Sequence, residues 1–171
     1  MSDRAIYLVG FMAAGKSTVG RALAHDLGWE FADTDAIVER ERGTTIETIF
    51  RTEGEGAFRE AEWRALLSLE GRSRLVVATG GGLFLGAPHR AFIRANGVSC
   101  WLDLPLEVAR ARVDDPSSRP LLALADALDR RAFFERRRAA YALADVHVDA
   151  SSGTASEVAR AVDARRRSFL Y

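Results

Sequence analysis

The chain has 171 residues, with 24 acidic and 24 basic side chains and a formal net charge of zero. That length supports one domain over 1–171 with a sizeable core, while the balanced charge removes the global basic field of a nucleic-acid binder. A single cysteine allows no intrachain disulfide, three scattered histidines have no zinc-like spacing, and no signal peptide or membrane-length apolar run is visible, so a cytoplasmic enzyme is expected.

The apolar run Ala5-Ile6-Tyr7-Leu8-Val9 predicts a first strand over 4–9. It leads into Gly10-Phe11-Met12-Ala13-Ala14-Gly15-Lys16-Ser17-Thr18, which has the spacing G-x-x-x-x-G-K-S. Glycines let the backbone turn tightly and aim N–H groups at an anion. The Lys ammonium reaches β- and γ-phosphates, and the Ser hydroxyl is a ligand for Mg²⁺. A helix over 16–27, with the stripe Val19, Leu23, Leu27 and a closing Gly28, adds its positive end. Of the 24 basic residues 23 are Arg, and Lys16 is the single Lys. A compact ammonium fits between phosphates where a planar guanidinium does not.

The second strand, over 29–33, ends in Asp33-Thr34-Asp35. In extended chain these carboxylates face the same side, roughly 6.6 Å apart. One suits the water shell of Mg²⁺, the other an acceptor hydroxyl; alternatively, Asp35 caps the helix over 35–42. Helices follow over 45–52, where Thr44-x-x-Glu47 reads as a capping box, and over 57–70, with Phe58-Arg59 near its start. The third strand, over 74–79, runs into Gly80-Gly81-Gly82, which permits close backbone approach to a ligand. Pro88 and Pro105 suit first turns of helices over 88–95 and 105–112, on either side of a strand over 98–103 that carries Cys100 as a buried thiol. The stretch Asp114-Asp115-Pro116-Ser117-Ser118-Arg119-Pro120 reads as a surface loop. A helix over 126–143 holds Arg136-Arg137-Arg138, a last strand covers 146–149, and a helix over 155–168 opens on the capping box Thr154-x-x-Glu157. The run Arg165-Arg166-Arg167 is expected to be a frayed, solvated helix end. Alternating β and α elements predict an α/β fold, with a parallel sheet covered on both faces and ligands beyond the strands' carboxyl ends.

The phosphate loop, Asp33-x-Asp35, Phe58-Arg59, the triple glycine, Arg119-Pro120-Leu121-Leu122 and a late Arg before Tyr141 occur in that order, and together they make the sequence resemble shikimate kinases up to about residue 150. The resemblance implies a three-layer α/β/α P-loop kinase fold with five parallel strands, and transfer of phosphate from ATP to the 3-hydroxyl of shikimate in aromatic amino acid synthesis. It implies a substrate-binding segment over 35–70 and a lid loop over 113–124. It implies ATP contacts from Ala13, Ala14, Gly15, Lys16, Ser17 and Thr18, with Arg112 against adenine and Arg119 on the transferring group. Asp35, Arg59, Gly81 and Arg137 are the implied shikimate contacts, with Phe50 and Phe58 walling the ring. Arg137 has the family's four-residue spacing before Tyr141, although Ala139 stands where the family has Pro. The implied catalytic set is Lys16, Asp35 and Arg119, with one Mg²⁺ on Ser17 and, through water, Asp33. The expected protein is a monomer with ATP and shikimate as partners and no nucleic acid or membrane. A gluconate-kinase-like enzyme, a nucleoside monophosphate kinase and a non-catalytic ATP-binding module are the rival readings.

Overall fold

The structure, a computed structural model, describes residues 3–113 and 127–170. The apolar segments become five strands: β1 (Ala5–Val9), β2 (Glu30–Asp33), β3 (Leu75–Ala78), β4 (Gly97–Asp103) and β5 (Val146–Asp149). They form one sheet in the order β2-β3-β1-β4-β5, and every pairing is parallel. β1 and β3 are buried along their whole length, as strands covered on both faces must be. At the edge, β5 alternates buried and exposed positions. Pairing puts Asp33 opposite Ala78, and Leu8 opposite Ala78 from the other side. The carboxyl ends of β2, β3 and β1 therefore lie together, and three loops of the sequence meet there.

The flanking helices are α1 (Lys16–Leu27), α2 (Thr34–Arg42), α3 (Ile46–Leu67), α4 (Ala87–Asn96), α5 (Leu106–Ala111), α6 (Ala127–Tyr141) and α7 (Ala155–Leu170). α1 packs closely on the sheet because Gly20 has no side chain; a Cβ there would stand 2.6 Å from the Phe31 ring. Among the described residues no helix is long and apolar enough to cross a membrane.

Three local expectations are corrected. The cap of α3 is Thr45, not Thr44: the Thr45 hydroxyl accepts from Thr48 N, and the free N–H of Ile46 at the helix start is taken by Glu39 Oε1 at 3.0 Å. The two helices expected over 45–52 and 57–70 are one run broken at Gly54, whose φ of 87° and ψ of 176° are non-helical. Arg166 is not at a frayed end. It is buried, pairs with Asp163 at 2.7 Å and lies over the Trp29 ring at 5.4 Å, so its stem packs inside while its charge is matched. The Thr154 box has its reciprocal bonds, Glu157 N to Thr154 Oγ1 at 3.2 Å and Thr154 N to Glu157 Oε2 at 2.7 Å.

Candidate active site

The phosphate loop leaves β1 and ends as the first turn of α1. Its path needs positive φ at Gly10 (146°) and Gly15 (89°), and also at Ala13 (60°), where an L side chain is strained. Lys16 Nζ donates to the carbonyls of Gly10 at 2.8 Å and Phe11 at 2.9 Å, which holds the ammonium at the loop's mouth. A cavity of about 350 Å³ opens here between Lys16, Ser17, Asp33, Asp35, Gly81 and Arg112. A second, of about 260 Å³, runs past Ala14 and Thr18 to Ala150 and Gly153. Arg112 lines both and donates to the carbonyls of Ala150 at 2.8 Å and Ser151 at 3.3 Å.

Asp33 ends β2 and caps α2. Its Oδ1 accepts from Asp35 N at 3.0 Å and Ala36 N at 3.4 Å, while its Oδ2 accepts from Ser17 Oγ at 2.5 Å. This corrects the sequence expectation: the two Asp residues do not share an extended strand, and the cap is Asp33 rather than Asp35. Asp35 sits in the first turn of α2, because its preceding carboxylate already satisfies the helix's free N–H groups. Burial, then the negative charges of Asp33 and Glu62, push the Asp35 carboxyl up to about 6, with Lys16 opposing. Asp35 Oδ1 is buried without a hydrogen-bond partner in the described structure.

Beyond Asp35 the site is built from side chains on α3 and α6. Arg59 donates to Glu62 Oε2 at 2.8 Å and Glu55 Oε1 at 3.1 Å, with its guanidinium 5.3 Å from the Phe58 ring centre. Phe58 in turn packs on Phe50 at 4.8 Å. Glu62 is 1% exposed; burial pushes its carboxyl up and Arg59 opposes that. The three consecutive Arg of α6 separate. Arg136 is exposed, Arg138 pairs outward with Asp103 at 2.9 Å, and Arg137 is buried over the Phe133 ring at 4.3 Å. Burial lowers the proton affinity of Arg137, with Arg59 adding a smaller like-charge effect. Tyr141 closes this side by donating its hydroxyl to the Gly81 carbonyl.

Lys16, Ser17, Asp33, Asp35 and Gly81 thus border one cavity, which Ala13, Gly15, Thr18 and Arg112 also line. Arg119 and nearly all of the 113–124 segment lie outside the described residues. Sequence reading passed over Glu62 and Glu55. They stand three residues after and four before Arg59, the spacing at which helical side chains meet, so the pairing signal was present. For a metal, Ser17 and Asp33 offer adjacent hard oxygens. No group of three His, Cys, Asp or Glu among the described residues could cage an ion. That donor set fits Mg²⁺, which keeps several waters and leans on substrate phosphates.

The sequence model of the family described as shikimate kinase matches residues 12–165. The shikimate kinase of Moorella thermoacetica is 40% identical over 165 residues, covering 96% of this chain and 95% of the relative. The solved shikimate kinase of Acinetobacter baumannii, in complex with shikimate, superposes with a TM-score of 0.87 at 40% identity over 93% of this chain and 90% of its own. A gluconokinase from Sinorhizobium meliloti, at TM-score 0.58 and 18% identity over 98% of this chain and 94% of its own, shares the fold alone.

Proposed function

The chain belongs to the shikimate kinase family, and we propose on that premise that it transfers the γ-phosphoryl group of ATP to the 3-hydroxyl of shikimate, giving shikimate 3-phosphate and ADP on the route to aromatic amino acids. The observation that carries the acceptor assignment is the placing of two guanidinium groups, Arg59 and Arg137, against adjacent glycines beside Asp35 and the phosphate loop. A guanidinium fork pairs with a carboxylate, and an acid with a ring hydroxyl near it has shikimate's chemistry.

The reaction asks for positioning and charge stabilisation. The N–H groups of residues 13–18 and Lys16 hold the phosphates, and Arg112 lies against the base. Asp35 orients the acceptor hydroxyl. As that oxygen bonds to phosphorus and the bond to the ADP oxygen breaks, the hydroxyl proton passes to the Asp35 carboxylate. Ser17, with Asp33 through water, would hold Mg²⁺, which supplies charge neutralisation between β- and γ-phosphates when bound. Arg119 is assigned to the transferring group by its Arg-Pro-Leu-Leu motif alone, with 113–124 as the lid and 35–70 as the acceptor segment. The reading includes a cytoplasmic monomer, which fractionation and sedimentation test.

A coupled assay of ADP release with Mg-ATP and, in turn, shikimate, gluconate and AMP tests the assignment. Turnover is expected with shikimate alone. Turnover with gluconate or AMP in its place sinks the acceptor reading, and binding of ATP with no turnover on any acceptor returns the chain to a non-catalytic module. Asp35→Asn is expected to cost about 10²–10⁴ in kcat while Mg-ATP binding without shikimate is kept.

A further inference from the structure

Each glycine of Gly80-Gly81-Gly82 faces a charged side chain. None of the three has a positive φ, so the backbone conformation there does not require glycine. Space does. A Cβ on Gly80 would stand 2.4 Å from Glu62 Oε1 and 2.7 Å from Asp35 Oδ1. A Cβ on Gly82 would stand 2.4 Å from Arg59 Nη1 and 2.8 Å from Nη2, and one on Gly81 would be 3.4 Å from Arg137 Nη1. Contacts under 3.0 Å force something to move. The middle of the run is held by the Tyr141 hydroxyl on the Gly81 carbonyl. What moves is therefore the facing side chain.

Two other glycines, Gly10 and Gly97, make room for backbone. A Cβ on Gly10 would stand 2.8 Å from the Leu102 carbonyl oxygen, and one on Gly97 2.3 Å from that of Ala5. Relief there means shifting strands. At Gly82 the obstructed atoms are the end of the long Arg59 side chain, which swings aside with little cost to the fold but leaves its place in the site; at Gly80 they are carboxylate oxygens of Glu62 and Asp35, which must also leave their places.

We propose that Gly80 and Gly82 are positioning residues: their bare Cα atoms form a floor that seats Asp35, Glu62 and Arg59, and so set how tightly and in which pose the acceptor is held. The proposal deepens the reading that Arg59 grips the acceptor's carboxylate, and rests on it. Asp35 sits at the Gly80 end of the floor and Arg59 at the Gly82 end, with Arg137 between, so the floor fixes the spacing between the group that meets a hydroxyl and the groups that meet a carboxylate.

The test is kinetic. Gly82→Ala is expected to raise KM for shikimate about 10- to 100-fold, the loss of a charge-assisted contact, with kcat within about threefold. Its Tm and its Mg-ATP dissociation constant without shikimate stay near wild type; a merely structural role would move both. Gly80→Ala, aimed at Asp35 as well as Glu62, lowers kcat too. Arg160→Ala, at an exposed residue of α7 outside every part of the site, leaves KM unchanged and serves as the control. In an Arg59→Ala background, where a Cβ on Gly82 has room, Gly82→Ala should add less than about twofold to KM. A wild-type KM in Gly82→Ala, a penalty that persists without Arg59, or a failure to fold in that background overturns the proposal. An Arg59→Ala enzyme with wild-type KM for shikimate is a different result: it removes the carboxylate reading, and the floor's role with it.

Discussion

In the half of the site proposed to hold phosphate, the groups come from one consecutive run, Gly10 to Thr18, and on that reading most of them are main-chain N–H donors with one ammonium among them. In the acceptor half they are side chains gathered from α2, α3 and α6 onto the turn after β3. On the proposed reading the first half meets its ligand with fixed backbone dipoles, and its cost is conformational, seen in the positive φ of Ala13. The second half meets its ligand with buried charges, and its cost is electrostatic. Asp35, Glu62 and Arg137 are all shifted toward their neutral forms, with burial the first cause each time. A backbone site tolerates little redesign of its path, whereas a side-chain site is tuned by single substitutions that leave the fold alone.

The sharpest way to break this contrast is at the one side chain on which the phosphate half depends. Lys16→Met should reduce kcat by about 10²–10³ with the circular dichroism spectrum unchanged, as for loss of a preorganised charge at a reacting oxyanion. A folded mutant keeping more than roughly a tenth of wild-type kcat means that the loop's backbone suffices without the ammonium. On the acceptor side, Arg59→Lys keeps the charge and loses the fork. Its expected cost is about 1.5–3 kcal/mol, roughly 10- to 150-fold in kcat/KM for shikimate, with ATP affinity unchanged. The same cost against an acceptor whose carboxylate is reduced to an alcohol would place Arg59 elsewhere than on that group. The smallest effect is on stability. A non-glycine residue in the left-handed region costs about 1–2 kcal/mol, and Gly loses about 0.4–1 kcal/mol more chain entropy on folding. Ala13→Gly should therefore raise Tm by a few degrees, about 2–4 °C for each net kcal/mol. A lower Tm would show that the loop is not strained at Ala13.

The same contrast explains what was legible in the sequence. The phosphate loop reads directly because its function lies in spacing along the chain. The parallel sheet reads almost as directly, since uninterrupted apolar runs such as Ala5–Val9 have few other homes. The acceptor half does not, because burial of a charge depends on what packs over it. Among 23 Arg, nothing local tells that Arg137 turns inward while Arg138, one residue on, turns to Asp103. The resemblance to a family singled out Arg137; composition could not have done so. Arg166 shows the same limit in a structural setting, since a run of three Arg at a helix end conceals one that is buried over the Trp29 ring. Thr44 and Thr45 were separable only by backbone conformation.

Asp33 belongs to both halves. One of its oxygens takes the Ser17 hydroxyl and the other holds the first N–H groups of α2, where Asp35 stands. On the proposed reading, a nucleotide that draws on Ser17 would alter the bond Asp33 makes there, and the change would pass through a single carboxylate to the turn that carries Asp35. Two ligands joined by one rigid group are thermodynamically linked, and linkage is symmetric. Whatever factor bound nucleotide applies to the acceptor's affinity, bound acceptor applies to the nucleotide's. Asp33→Asn, which weakens that shared anchor, must then reduce both cross-effects by the same ratio, whichever ligand is titrated first.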